Sequence, residues 1–154
     1  MMTEISLNVL DVSENSTRAG ASLVTILVTA DTSADKLTIV IADNGCGMTP
    51  EQAAHVTDPF FTTRTTRKVG LGIPFFKYAA ESTGGSFHIE SEPGKGTTVT
   101  AVFGLSHIDR MPLGDMNATI HNLIVYHPDT DFLYTYTYND ASFTLDTREM
   151  REIL

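Results

Sequence analysis

Asp43-Asn44-Gly45-Cys46-Gly47-Met48 follows directly on the β-branched run Leu37–Ala42. This short stretch decides how the rest of the chain is read. An acid at a strand end, followed by two flexible glycines, presents its carboxylate edge-on while backbone lines the same hollow. Such a carboxylate suits an exocyclic amine, the N6 of adenine being one. Taken alone the pattern is an ordinary turn, and a turn is all it would signify. A second glycine stretch, Lys68-Val69-Gly70-Leu71-Gly72, opens the apolar-periodic segment Leu71–Ser82. Glycines at a helix start leave N–H groups and the positive dipole end exposed, which suits phosphate. Arg64, Arg67 and Lys68 put three of the chain's ten basic residues within five positions, just upstream. In so acidic a chain that clustering favours an anionic ligand.

Working outward, residues 4–19 carry Ile5, Val9 and Val12 at helical spacing, although Ile5, Leu7 and Val9 also alternate and leave the first turn ambiguous. Gly20 is a C-terminal stop. Asp11 and Asn15 share one side of this helix, with Arg18 a further three residues along. An amide oxygen can ligate Mg²⁺, and a carboxylate one turn earlier can hold or deprotonate a water. Ser22–Thr29 and Lys36–Ala42 read as an antiparallel hairpin, Thr49-Pro50-Glu51 as the start of a short helix, and Phe87–Ser91 with Thr97–Phe103 as a second hairpin. This order predicts an α+β fold, a two-layer sandwich in which a mixed, mostly antiparallel sheet carries helices on one face.

These segments resemble, as an ordered set with the phenylalanine-bearing Asp58–Arg64 between them, the Bergerat-fold (GHKL) ATPase superfamily of gyrase, histidine kinases, heat-shock chaperones and mismatch-repair ATPases. Asp58–Phe103 looks most like a histidine-kinase catalytic domain, through Gly70-Leu71-Gly72, Thr83-Gly84-Gly85 and Glu90–Thr98. Glu14–Ala21 is closer to the mismatch-repair and gyrase version. The resemblance spans about residues 5–104 and implies binding of ATP or ADP with Mg. On it, Asn15 would ligate Mg, Asp43 would bond the adenine amine, and Gly45 and Gly47 would shape the base pocket. Gly70, Leu71 and Gly72 would form the phosphate-facing turn, and Thr98 would lie on the strand near the adenine. Arg18 matches a position often filled by a phosphate-contacting lysine, and Arg64, Arg67 and Lys68 would belong to the lid over the phosphates. Asp11 falls where hydrolytic members carry a water-activating glutamate, one methylene longer. Lys68 stands where the kinase glycine box usually begins with glycine, which implies a more cationic lid.

Composition bounds the remaining possibilities. With 154 residues, 42% hydrophobic, the chain is about one domain's worth. Its net charge of −9 argues against a surface that tracks nucleic-acid phosphates. No apolar run approaches a membrane span, the start lacks a signal peptide, and one cysteine excludes an internal disulfide, so a cytoplasmic setting is expected. Residues 1–106 are read as the ATPase domain. Residues 107–154, with eight acids and three bases, are read as a helix, hairpin and helix packed on the same domain. Few residues precede the first helix and no sensor segment is visible, so the expected activity is phosphorylation of a separate protein partner in signalling, two-component or anti-sigma-like. A nucleotide-gated interaction switch and a slow ATPase are the alternatives. Ser106-His107-Ile108-Asp109-Arg110-Met111-Pro112-Leu113 resembles a phosphoacceptor box, but it follows the ATPase segment, and the acid expected after the histidine is displaced by one. The other histidines lack metal-type spacing. Phe132, Tyr134, Tyr136 and Tyr138 alternate along one strand face, a packing face or, if exposed, a protein-docking surface.

Overall fold

The computed structural model describes residues 4–58 and 72–153. Chain order is α1 (Ile5–Arg18), β1 (Leu23–Asp31), β2 (Lys36–Asp43), α2 (Pro50–Val56), α3 (Gly72–Glu81), β3 (Ser86–Glu92), β4 (Gly96–Gly104), α4 (Met116–Tyr126), β5 (Asp131–Tyr138), β6 (Ala141–Asp146) and α5 (Thr147–Ile153). Among the described residues, six strands form one sheet in the order β3-β4-β2-β1-β5-β6. Every pairing is antiparallel except β1 with β5, where Val24 lies beside Phe132 and Ile26 beside Tyr134.

Period-2 alternation in the strands turns one apolar set inward. Val24, Ile26 and Val28 of β1, Leu37, Ile39 and Ile41 of β2, Val99, Ala101 and Phe103 of β4 and Phe132 of β5 are buried. Ile5, Val9 and Val12 of α1, Ile73 and Phe76 of α3 and Ile120 and Leu123 of α4 cover that face. Phe76 packs edge-on to Phe87 and tilted against Phe103, which fixes α3 over β3 and β4. The other face, with Thr25, Thr38, Val40, Thr98 and Thr100, is only half-buried.

Three local features set the frame of the site. The ambiguous first turn of α1 is helical, and its free N–H groups are capped from the tail: Ile5 donates to the carbonyl of Pro112 at 2.9 Å and Ser6 to that of Leu113 at 2.8 Å. Gly20, at φ +81°, ends the helix as expected. Thr49 caps α2 in a reciprocal box with Gln52, and Pro50 occupies the first turn.

Residues 107–154 supply α4, β5, β6 and α5, and β5 extends the sheet beyond β1. The aromatic alternation on β5 runs from core to surface: Phe132 is fully buried, Tyr134 nearly so, and Tyr138 is half-exposed beside the edge strand. Residues 105–114, including the histidine-bearing box, form turns at 105–106 and 108–109 and are otherwise irregular. His107 accepts at Nδ1 from the backbone N–H of Asp109, and the Arg110 guanidinium donates to the carbonyls of Leu105 and Met111. No helix among the described residues is long and apolar enough to cross a membrane.

Candidate functional site

The end of β2 lies between the last turns of α1 and the β3–β4 turn, and the glycines of 43–48 are what allow so close an approach. A Cβ on Gly45 would come within 2.9 Å of Ala19, and one on Gly47 would come within 2.0 Å of the Glu92 carbonyl oxygen. Backbone bonds stitch the loop on both sides. Cys46 donates to the Ala19 carbonyl at 2.9 Å, and its own carbonyl accepts from Gly94 at 2.7 Å. Met48 donates to Ser91 Oγ, which in turn lies 2.7 Å from Thr97 Oγ1.

Behind this loop lies a cavity of about 250 Å³. Its walls are apolar, chiefly Val12, Ile41, Val56, Ile73 and Val99, and Asp43, Asn15 and Ser16 bring its polar groups. Asp43 is held from two directions. Its Oδ2 accepts from the Ser16 hydroxyl at 2.7 Å and its Oδ1 from the Gly45 N–H at 2.8 Å. Each carboxylate oxygen has a second lone pair, so the group can still accept from a ligand inside the cavity. A fixed acceptor against an apolar slot suits a flat ring that carries an amine.

Asn15 sits at the edge of this cavity, and its amide oxygen accepts from the Arg18 guanidinium at 2.6 Å. Arg18 is otherwise exposed. Asp11 is one turn earlier, half-buried against the start of α3, where a Cβ on Gly72 would stand 3.0 Å from its own Cβ. Burial pushes the Asp11 carboxyl above its ordinary range, with Arg18 pulling it back and Glu14 adding to the rise. Glu14 meets His127 at 2.8 Å, so the tail contacts α1 close to Asn15.

Of the residues singled out from the sequence, Asn15, Asp43 and Gly47 line the cavity, Gly45 supports the carboxylate, and Arg18 reaches it through Asn15. Asp11 and Gly72 face each other outside its lining. Arg64, Arg67, Lys68, Gly70 and Leu71 lie outside the described residues. Thr98 points to the half-buried face of β4, and the neighbouring Thr97 faces the cavity, because Thr97 is the residue registered against Asp43. Ser16 escaped the sequence reading. Its one signal is a hydroxyl four residues after Val12 on an apolar face, and Ser13 beside it is just as buried without touching Asp43. No group of three or more His, Cys, Asp and Glu side chains suited to a metal occurs among the described residues.

The chain is similar in sequence to parts of sensor proteins and in fold to DNA-repair ATPase domains. The chain is 39% identical over 70 residues, 45% of its length, to a putative sensor protein of Shewanella frigidimarina (strain NCIMB 400), of which it spans 11%. It is 33% identical over 102 residues, 63% of its length, to the sensor protein SrrB of Staphylococcus aureus (strain NCTC 8325 / PS 47), of which it spans 17%. The chain therefore matches less than a fifth of either sensor protein. The fold is shared with the N-terminal domain of a DNA repair protein (TM-score 0.67, 14% identity, covering 94% of this chain and 53% of that one). It is shared also with the ADP-complexed MutL ATPase domain of Aquifex aeolicus (TM-score 0.55, 16% identity, covering 95% of this chain and 64% of that one). The profile of the histidine kinase-, DNA gyrase B- and HSP90-like ATPases matches residues 1–107, and the chain belongs to that family.

Proposed function

We propose that the chain binds Mg-ATP and Mg-ADP in the cavity behind Asp43 and passes the terminal phosphoryl group to a protein partner in signalling. The observation that carries the nucleotide reading is the Asp43 carboxylate, held by Ser16 and Gly45 at the edge of an apolar slot. In this reading Asp43 accepts from the purine amine, Val12, Ile41 and Val99 flank the ring, and Gly47 lets backbone approach it.

The donor set fits magnesium, which takes few protein ligands and keeps phosphate oxygens and waters. Asn15 Oδ1 would hold the ion, whose charge would offset that of the phosphates. Since Arg18 now occupies that oxygen at 2.6 Å, coordination requires the guanidinium to swing off it. Arg18 is exposed and free to turn, and its released charge would face the phosphates together with Arg64, Arg67, Lys68 and the Gly70-Leu71-Gly72 turn. Asp11 is a weak candidate for positioning water, because it is short and faces Gly72. That favours transfer to a partner over rapid hydrolysis.

The deciding titration compares Mg-ADP and Mg-ATP on wild type and Asp43→Asn. An amide there turns a donor toward the purine amine and leaves a buried pair unmade, so both ligands should weaken by about 10- to 100-fold. Unchanged affinity would remove the adenine assignment. Asn15→Ala should abolish the dependence of ATP affinity on magnesium while leaving metal-free binding intact. A second reading, a nucleotide-gated interaction switch, draws on the contacts of α1 with the tail at both ends, through Pro112, Leu113 and His127. Labelled ATP with candidate partners separates the two: phosphate on the partner supports transfer, and nucleotide-dependent binding without it supports the switch.

A further inference from the structure

The two edges of the sheet are defended differently. Along β3, Glu90 and Glu92 are exposed and α2 packs beside the strand, so a second β3 laid on that edge would meet like charges. At the other edge, β6 has no strand on its outer side and receives no backbone bond there among the described residues. Between Asp140 and Asp146 it reads Ala141-Ser142-Phe143-Thr144-Leu145, without charge, proline or glycine, and its register on β5 runs without a bulge. Tyr136, Tyr138, Phe143 and Leu145 share one face of the β5–β6 hairpin, and there Phe143 and Tyr138 stay 54% and 50% exposed. Phe143 stands edge-on to Tyr134 at 6.5 Å, which fixes its ring within this strip. An uncharged, uncovered edge of this kind is a template for another strand.

We infer that the β6 edge is the interface of a homodimer, in which β6 of a second copy pairs antiparallel to it and continues the sheet across a two-fold axis. Such an axis sets one residue opposite itself, so few registers are open. With Ser142 on the axis, Leu145 runs past the end of the opposing strand. With Phe143 on the axis, Asp140 of each copy faces Asp146 of the other, acid against acid. With Thr144 on the axis, Phe143 packs on Leu145 of the second copy, and Thr144 meets its own kind on the polar face. Asp140 of each copy then falls beside the Asp146–Arg148 end of the other, where the half-exposed Arg148 guanidinium already holds Asp146 at 2.9 Å. The edge is therefore complementary to itself in the Thr144 register, and both charged ends come from one chain, so a second copy supplies everything the edge lacks. A six-residue strand buries less than a standard interface, and a net charge of −9 on each copy opposes association. The dissociation constant is accordingly on the order of 10–100 µM. The interface is separate from the nucleotide reading and does not depend on it.

The test uses the full chain. Sedimentation from about 5 to 500 µM should show a monomer–dimer equilibrium. Phe143→Lys places a charge in the pairing edge and should raise the dissociation constant at least about tenfold. Cross-linking then reads the register, in a Cys46→Ser background that removes the exposed native cysteine. Thr144→Cys should oxidise readily to a disulfide-linked dimer, because the two 144 positions face each other across the axis. Two 142 positions lie about 14 Å apart along the strands, beyond the roughly 7 Å that a disulfide spans, so Ser142→Cys should link at least about tenfold more slowly. The cross-linking pair carries the test even if Phe143→Lys does not fold. Three results would overturn the inference: a monomer throughout that range, which would leave the edge to a strand of another protein; a dimer indifferent to Phe143→Lys; or Ser142→Cys linking as fast as Thr144→Cys.

Discussion

Gly47 offers the sharpest test of how the loop is closed. Replacing it with alanine perturbs two things at once. Its φ of +71° lies in the left-handed region, where an L side chain costs about 1–2 kcal/mol. The new Cβ would also stand 2.0 Å from the Glu92 carbonyl oxygen, when ordinary contact begins at 3.4 Å. That oxygen is backbone, so β3 must retreat by more than 1 Å or the loop must open. Overpacking of this kind adds about 1–3 kcal/mol, and retreat also strains the 2.7 Å bond from Gly94 to Cys46. Gly84 separates the two effects: its φ is +76°, but a Cβ there meets nothing within 4 Å. Gly84→Ala should therefore lose about 1–2 kcal/mol and Gly47→Ala about 2–5 kcal/mol in urea unfolding at matched slope. Nucleotide affinity should drop only for Gly47→Ala. Losses that agree within about 0.5 kcal/mol, the usual scatter for neutral surface changes, would show that Gly47 is not pressed against β3.

Other outcomes follow from the same geometry. Ser16→Ala frees one oxygen of Asp43 and should weaken Mg-ADP by about tenfold in calorimetry, as expected for a hydrogen bond to a charged group. A change smaller than twofold would mean that Gly45 alone orients the carboxylate. Asp11 has a folded-state pKa raised mainly by burial, so the folded chain holds that proton more tightly than the unfolded one. Its carboxylate then costs stability as pH rises from about 4 through the folded value. Asp11→Asn should unfold at higher urea than wild type at pH 7, with the gap closing near pH 4; a gap constant with pH would contradict the burial. A chain cut to residues 1–106 loses the buried Met116, Ile120, Leu123, Phe132 and Tyr134. At about 1.5–3 kcal/mol each, their total is comparable to a whole domain's 5–15 kcal/mol. That fragment should show no cooperative melt by circular dichroism, and a monomer with a sharp transition would show that the tail is dispensable.

Much of the fold is written locally. The Val and Ile alternation of β1 and β2, the Gly20 stop and the Thr49-Pro50 start need only neighbours within a few residues, and each stands where the sequence puts it. The first turn of α1 was ambiguous for a good reason. What makes it helical is a pair of carbonyls from Pro112 and Leu113, more than a hundred residues away. The parallel pairing of β5 with β1 is equally remote, since periodicity says that a strand has an inner face but not which strand lies beside it.

The candidate site divides along the same line. Asp43, Gly45, Gly47 and Asn15 are legible in one dimension, because the demands on them are chemical: a carboxylate at a strand end, backbone without a Cβ, an amide on a polar helix face. Three things were settled only by the chain's three-dimensional path. The register of β4 on β2 turns Thr97 and not Thr98 toward the cavity. The packing of α1 on the sheet selects Ser16 from several buried serines to hold Asp43. The packing of α1 against its neighbours buries Asn8 without a hydrogen-bond partner among the described residues. Residue type and spacing are properties of the chain itself, whereas register and helix packing arise from contacts distant in sequence.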